Sequence, residues 1–304
     1  MTLDPVHIGT GGYRLGRVDN TIVREPGTNL PKIPGTSLMG AARSYAAMYY
    51  GKPEAAGQHK NFKGNKETCP IIYTFGTATE SGGGQAGKAS IGDARILFFP
   101  VHSMVGPVWV STAEILNEAG FKDPNGKKIN DKKTLTTLDV DNHKLNLGWL
   151  LLKTKKTDGK LSHPGSINET DEWRSIENRI VLVSPKLFSQ IVNSNLEVRT
   201  SVAINSETGA AEGGALFTYE ALPRTTWLWN DIIVDDYSRK NLGITKQFKD
   251  GNENVGDDLS DKWDNPLDVV RTGLKMIEYL GFGGMSTRGF GRMKIVDLLE
   301  ANGK

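Results

Sequence analysis

One carboxylate and one imidazole flank a glycine loop set with arginines in the segment His7-Ile-Gly-Thr-Gly-Gly-Tyr-Arg-Leu-Gly-Arg-Val-Asp19-Asn-Thr-Ile-Val-Arg24-Glu25. Gly9, Thr10, Gly11, Gly12 and Gly16 let backbone N–H groups approach phosphate oxygens closely. Arg14, Arg17 and Arg24 add positive charge. A loop of this kind would hold an anionic substrate while Asp19 or His7 handles a proton or a metal ion. A structural salt bridge, Asp19 with Arg24 for example, accounts for the same residues without any chemistry.

Two further stretches suit anions. In Ile33-Pro-Gly-Thr-Ser-Leu-Met-Gly40-Ala-Ala-Arg43, glycine, Thr36 and Ser37 precede a helix start, an anion site by geometry and dipole, with Arg43 in reach from the second turn. Ordinary capping by Ser37 explains it equally well. In Gly281-Phe-Gly-Gly-Met-Ser-Thr-Arg288-Gly-Phe-Gly-Arg292-Met-Lys294, Arg288 and Arg292 alternate with glycine and with Phe282 and Phe290. That mixture suits single-stranded nucleic acid, or the phenylalanines are core. The near-match to a phosphate-binding loop at Gly82–Ala89, GGGQAGKA, is a decoy. Ala89 stands where the magnesium-binding hydroxyl belongs, and the residues that follow read as a strand instead of the helix such a loop requires.

The elements that must position these residues are partly legible. A helix is predicted from Leu38 to Tyr50, capped by Ser37, with Leu38, Ala41, Ala42, Tyr45 and Met48 on its apolar face. A short helix follows Ser111, which has capping-box spacing to Glu114. A third starts at Pro266, turns Leu267, Val270, Leu274 and Ile277 inward, and ends at Gly281. Strands are predicted at Pro5–Ile8, Ala94–Val101, Val108–Val110, Ile180–Val183, Val198–Ile204, Ala215–Tyr219 and Gly291–Val296. The turn-rich NSETGAAEGG makes Val198–Leu222 a long β-hairpin. Strand, helix, strands, late helix and last strand suit an α+β sandwich of ferredoxin-like or RRM type. That core takes about 100 residues, so a single domain over 1–304 carries insertions. The clearest are a polar, lysine-rich one at 121–177 and an acidic surface loop at 238–264.

Composition removes several classes of function. No apolar run approaches the roughly 18 residues of a membrane span, and MTLDPVHIGTGG lacks the pattern of a signal peptide. The single cysteine, Cys69, excludes an internal disulfide and a cysteine-built zinc cage, and suits the reducing cytoplasm. A net charge of +2 is nearly neutral. The segregation of arginine and lysine from the acids between Asp231 and Asp264 still allows a polyanion-binding face.

Taken in order, HIGTGGYRLGRVDNTIVREPGTNLPKIPGTSLMGAARSYA and the C-terminal GFGGMSTRGFGRMKI resemble the RAMP superfamily of CRISPR proteins. The shared pattern is a glycine loop, VD-x-x-[IV]-x-R-[DE], IPG-[ST]-S-L-x-G-x-x-R, then a late glycine-rich loop. The middle, GKASIGDARILFFPVHSMVGPVWVST, and RTSVAINSETGAAEGGALFTYEALP are similar to the backbone subunit of type III effectors, above all the Cmr type. The resemblance implies an RRM-like palm with a β-hairpin thumb, here 198–222. It implies a filament of copies along guide RNA together with other effector subunits, and cleavage of the paired single-stranded target RNA. Asp19, at the aspartate of the VD motif, would be the catalytic residue, with a divalent metal, Mg2+ in the usual case. Whether it would hold the metal or assist proton transfer stays open. His7 is a candidate helper, with Glu212, Tyr219 and Glu220 as secondary contributors. Arg17, Arg24, Thr36, Ser37, Arg43, Arg288 and Arg292 are candidate RNA contacts. The alternative is a subunit of the same kind that scaffolds guide RNA without cutting.

Overall fold

The computed structural model describes residues 1–10, 18–57, 69–77, 84–122, 133–140, 144–157, 161, 163, 165–211, 216–235 and 265–298. Arg14, Arg17, Glu212 and the acidic stretch 238–264 lie outside them. In chain order the elements are β1 (Lys32–Ile33), α1 (Gly35–Tyr49), α2 (Pro70–Phe75), β2 (Ala89–Ile91), β3 (Ala94–Val101), β4 (Val108–Ser111) and α3 (Ala113–Glu118). There follow β5 (Lys133–Thr136), β6 (Lys144–Leu147), β7 (Leu150–Lys156), α4 (Asp171–Ile176), β8 (Ile180–Leu182) and α5 (Pro185–Ser194). The last are β9 (Glu197–Ser201), β10 (Phe217–Ala221), β11 (Trp227–Trp229), β12 (Ile232–Val234) and α6 (Pro266–Leu280). The fold is mixed α+β.

The large sheet runs β1-β3-β4-β8-β5-β7-β6, with β11 also paired to β3. β3 is its spine, an apolar run covered on both sides as such runs require. Ile96 and Phe99 join a core with α1, α5 and α6. Leu97 and Phe98 join a second, aromatic core around Trp173, Phe121 and Trp227. The two adjacent residues on one side coincide with a register shift in the β11 pairing between Trp227 and Leu228. The predicted polar insertion contributes β5, β6 and β7 to the main sheet, because Leu145 and Leu147 alternate inward while the lysines stay in water.

The helices differ from expectation in detail. Helix α1 starts at Gly35, with Pro34 at its N-cap and no side-chain cap from Ser37. It buries Leu38, Ala42, Ala46 and Ala47, whereas Met48 is exposed. Thr112, not Ser111, caps α3 by accepting from the Ile115 amide. Helix α6 begins at Pro266 and stops at Gly281 as its sequence indicates. Val270 and Ile277 are buried, and Leu267 and Leu274 are half-buried. The alanine face of α1 lets α6 approach so closely that a Cβ on Gly273 would lie 2.0 Å from the Ala42 carbonyl oxygen. Gly273→Ala therefore forces the helices apart. Thermal melting should show a loss of about 1–3 kcal/mol, and an unchanged melting temperature would contradict this crossing.

Candidate active site

The site is built on one edge of β10. On its other edge β10 pairs antiparallel with β9, Thr218 opposite Thr200 and Glu220 opposite Val198, so the predicted hairpin is present. The inner edge is used twice. The Asn20 amide donates to the Thr218 carbonyl at 3.0 Å and the Glu220 amide donates to the Asn20 carbonyl at 3.1 Å. Further along, Val6 and Leu222 exchange two amide–carbonyl bonds, each of 2.9 Å. Residues 8–10 run antiparallel to residues 21–23, with Gly9 bridging Ile22 and the Val23 amide on the Ile8 carbonyl at 2.9 Å. Asp19 and His7 thus meet the same strand from two different stretches of chain.

Asp19 is exposed, and Thr218 holds it. The Thr218 amide donates to Asp19 Oδ2 at 2.7 Å, and the Thr218 hydroxyl donates to the same oxygen at 2.9 Å. The Asp19 amide returns a bond to Thr218 Oγ1 at 3.1 Å. The two donors, the amide first, hold the Asp19 carboxyl below the usual carboxylate range. The side chain is therefore an anion at neutral pH.

His7 is buried. Its Nδ1 lies 2.6 Å from the Glu220 carbonyl oxygen, which can only accept, so Nδ1 carries the proton. Tyr219 meets the imidazole edge-on at 6.1 Å. The late glycine loop closes over this histidine. Gly283 has φ +86°, and a Cβ there would lie 2.8 Å from the His7 carbonyl oxygen. A Cβ on Gly284 would lie 2.9 Å from the imidazole Cδ2. These two glycines are required by close packing against His7.

Arg24 turns to Glu220. Its Nη1 and Nη2 donate to the two carboxylate oxygens at 2.6 and 2.8 Å, Nη1 also reaches the Ile22 carbonyl, and Nε donates to Asn193 Oδ1 at 3.0 Å. Glu220 Oε1 also accepts from the Ile22 amide at 3.0 Å. The salt bridge anticipated in this segment exists, but the acid is Glu220 in β10 and not Asp19. As it stands, the Arg24 guanidinium is committed to the fold.

On the hairpin's other face, Phe217, Tyr219 and Phe290 pack together with Met285. Arg199 lies over the Phe290 ring at 4.7 Å and Arg288 over the Phe217 ring at 5.4 Å. Arg288 also donates to Ser201 Oγ at 2.9 Å. Both arginines are exposed, whereas Phe282 and Phe290 are buried and belong to the core. Arg199 and Thr218 escaped the sequence reading. Their only signal is their place in adjacent strands of a recognisable hairpin.

The remaining candidates lie elsewhere. Gly35, at the start of α1, donates its amide to Asp93 Oδ1 at 2.8 Å, so a carboxylate of this chain already occupies the anion position below Thr36 and Ser37. That bond and Lys32 Nζ keep the Asp93 pKa low. Arg43 is half-buried and spends Nε and Nη2 on the Ala55 carbonyl at 3.0 and 2.9 Å. Arg292 pairs with Asp4 at 2.6 Å. After the phosphate-loop look-alike comes β2, a strand, as its residues indicate. Among the described residues no group of three His, Cys, Asp or Glu side chains could hold a metal ion. Asp19 is thus a single carboxylate available to a cation.

Residues 1–294 match the family model described as the RAMP superfamily. The chain belongs to that superfamily. The CRISPR system Cmr endoribonuclease Cmr4 of Pyrococcus furiosus is 31% identical over 281 residues, covering 84% of this chain and 90% of its own length. The Cms endoribonuclease Csm3 of Enterococcus italicus is 34% identical over 94 residues, 30% of this chain and 41% of that protein. Among solved structures, a type III-B Cmr-beta complex bound to cognate target RNA contains a chain with a TM-score of 0.60 at 16% identity, covering 95% of this chain and 92% of that one. Oligomeric Cmr4 from Pyrococcus furiosus gives 0.55 at 23% identity, with the same two coverages. These likenesses establish a RAMP fold over nearly the whole chain.

Glu220 is 5% exposed at its side chain and Arg24 18%, so removing either charge strands the other. Glu220→Ala should cost about 3 kcal/mol in urea unfolding, the low end for a buried pair because Arg24 keeps some water. A loss under 1 kcal/mol would mean that the pair does not hold the hairpin.

Proposed function

We propose that this RAMP chain is the target-cleaving backbone subunit of a type III-B CRISPR effector, binding guide RNA and cutting the RNA paired to it with Asp19. The observation that carries the reading is an exposed, ionised carboxylate fixed on the edge of a β-hairpin, in a chain 31% identical to an RNA-cleaving relative. In this reading the palm is RRM-like, β9 and β10 are the thumb, copies of the chain stack along the guide, and the protein works in the cytoplasm beside other effector subunits. No described helix is long and apolar enough to cross a membrane.

RNA supplies its own nucleophile. A nucleotide splayed from the duplex brings its 2′-hydroxyl in line with the adjacent phosphorus. The 2′-oxygen bonds to phosphorus, the bond to the 5′-oxygen breaks, and the hydroxyl proton leaves to water or a base while the departing oxygen takes one up. A carboxylate held below its ordinary pKa is a poor proton carrier near neutrality, which favours an Asp19 that orients the hydroxyl or holds a cation. Mg2+ fits this donor set, since it commonly takes one or two carboxylates and fills its shell with phosphate and water. Bound there, it would supply charge stabilisation to the phosphate oxygens. In this reading Arg288, and Arg199 once released from Glu197, meet the backbone or bases of a single strand from the aromatic rings behind them. Guide contacts are expected to be largely independent of sequence, with base pairing reading the target.

Incubating the reconstituted complex and Mg2+ with end-labelled target should give a regular ladder of products. Asp19→Ala should abolish the ladder while target binding persists; continued cutting would move catalysis elsewhere. No ladder from the unmutated complex, with binding intact, would favour the scaffold reading. Arg288→Ala should weaken RNA binding and lower the slope of log affinity against log salt by about 1. Arg43→Ala should lower the melting temperature instead, because its guanidinium serves the Ala55 carbonyl; the reverse pattern would reassign the two residues.

A further inference from the structure

We propose that Thr218 is the positioning residue of this site, its amide and hydroxyl holding one Asp19 oxygen so that the other faces the RNA. The inference rests on Asp19 being the catalytic group.

Three bonds close a ring between the two residues. Thr218 N and Oγ1 donate to Asp19 Oδ2 at 2.7 and 2.9 Å, and the Asp19 amide donates to Thr218 Oγ1 at 3.1 Å. One hydroxyl gives and receives at once, as only Ser, Thr or Tyr can. An exposed aspartate beside a glycine-rich loop would otherwise sample several rotamers. Here both donors land on Oδ2, and bonds to an ionised acceptor are the strong kind. Among the described residues nothing donates to Oδ1, and that is the oxygen left to work.

The latch also ties Asp19 to the hairpin. One residue on, Asn20 bridges Tyr219, and two further on the Ile22 amide and Arg24 reach the Glu220 carboxylate. Three successive attachments make β10 and the Asp19 segment one body, so any displacement of the hairpin moves the carboxylate. Cleavage is thereby coupled to how the hairpin seats. Among the described residues, the charged or titratable groups on the surrounding elements include His7, Arg24, Glu197, Arg199, Tyr219, Glu220 and Arg288, of which Arg24 pairs with Glu220 and Arg199 with Glu197.

Thr218→Val removes the hydroxyl while keeping the amide, the β-branched shape and the strand preference. Thr218→Ser keeps the hydroxyl. Single-turnover cleavage by the reconstituted complex should fall about tenfold in Thr218→Val, with target binding and melting temperature unchanged. Thr218→Ser should restore the rate. A Thr218→Val complex that cuts at the normal rate would overturn the proposal, as would a Thr218→Ser complex that stays equally slow. Asp19→Ala run alongside separates the two levels: normal cutting by that variant removes the reading of Asp19 itself, whereas its inactivity beside a normal Thr218→Val removes only the latch.

Discussion

The ion pair between Glu220 and Arg24 is the constraint on which the site depends. A carboxylate so nearly buried is tolerable only when its oxygens are satisfied, and here two guanidinium nitrogens and the Ile22 amide do so. The pair joins the hairpin to the N-terminal segment, separated by 196 positions in sequence. From that rivet, Asn20 falls beside Tyr219 and Asp19 beside Thr218. The position of Asp19 is a consequence of burying a charge two steps along the strand. An apolar pair could hold two strands together, but it would not fix which residue faces which as an ion pair with directed hydrogen bonds does.

The glycine loops serve this arrangement in a way their composition does not advertise. Glycine near arginine reads as an anion cradle, and residues 11–17 of the first loop lie outside the described residues. The late loop has a steric role: Gly283 and Gly284 pass so close to His7 that a side chain would strike its carbonyl or ring. With the imidazole pinned to the Glu220 carbonyl, the segment around His7, the late loop and β10 are packed as one unit. Intramolecular partners also fill two predicted anion positions, Asp93 at the start of α1 and Asp4 at Arg292. Among the described residues of the site, Asp19 on the edge of β10 stays exposed, as do Arg288 over the Phe217 ring and Arg199, whose Nε pairs with Glu197 at 2.6 Å.

Local pattern carried much of this into the sequence. The continuous apolar run of β3, the proline-to-glycine span of α6 and the turn-rich connection between β9 and β10 each reflect forces acting within a few residues, so each is readable there. So is the family, because the ordered glycine, VD and IPG motifs are themselves sequence. Asp19 is legible for the same reason. The strands of the region 121–177 were less so, since their lysines dominate the composition while a few alternating leucines decide the pairing.

Partner choice could not be read, because it is decided by contacts across long loops. Arg24 has Glu25 beside it and Asp19 five residues away, yet it pairs with Glu220, because only that carboxylate is buried where the guanidinium ends. Ser37 follows a plausible capping pattern, but Asp93 arrives from the sheet and takes the Gly35 amide first. Thr218 is one threonine among many until a second strand lays Asp19 against it. The sequence alone determined the family, the α+β class and the hairpin, and it singled out Asp19 as the candidate. Tertiary structure decided which charges are spent on the fold and which remain for a ligand, because burial and hydrogen-bond geometry exist only after distant segments meet.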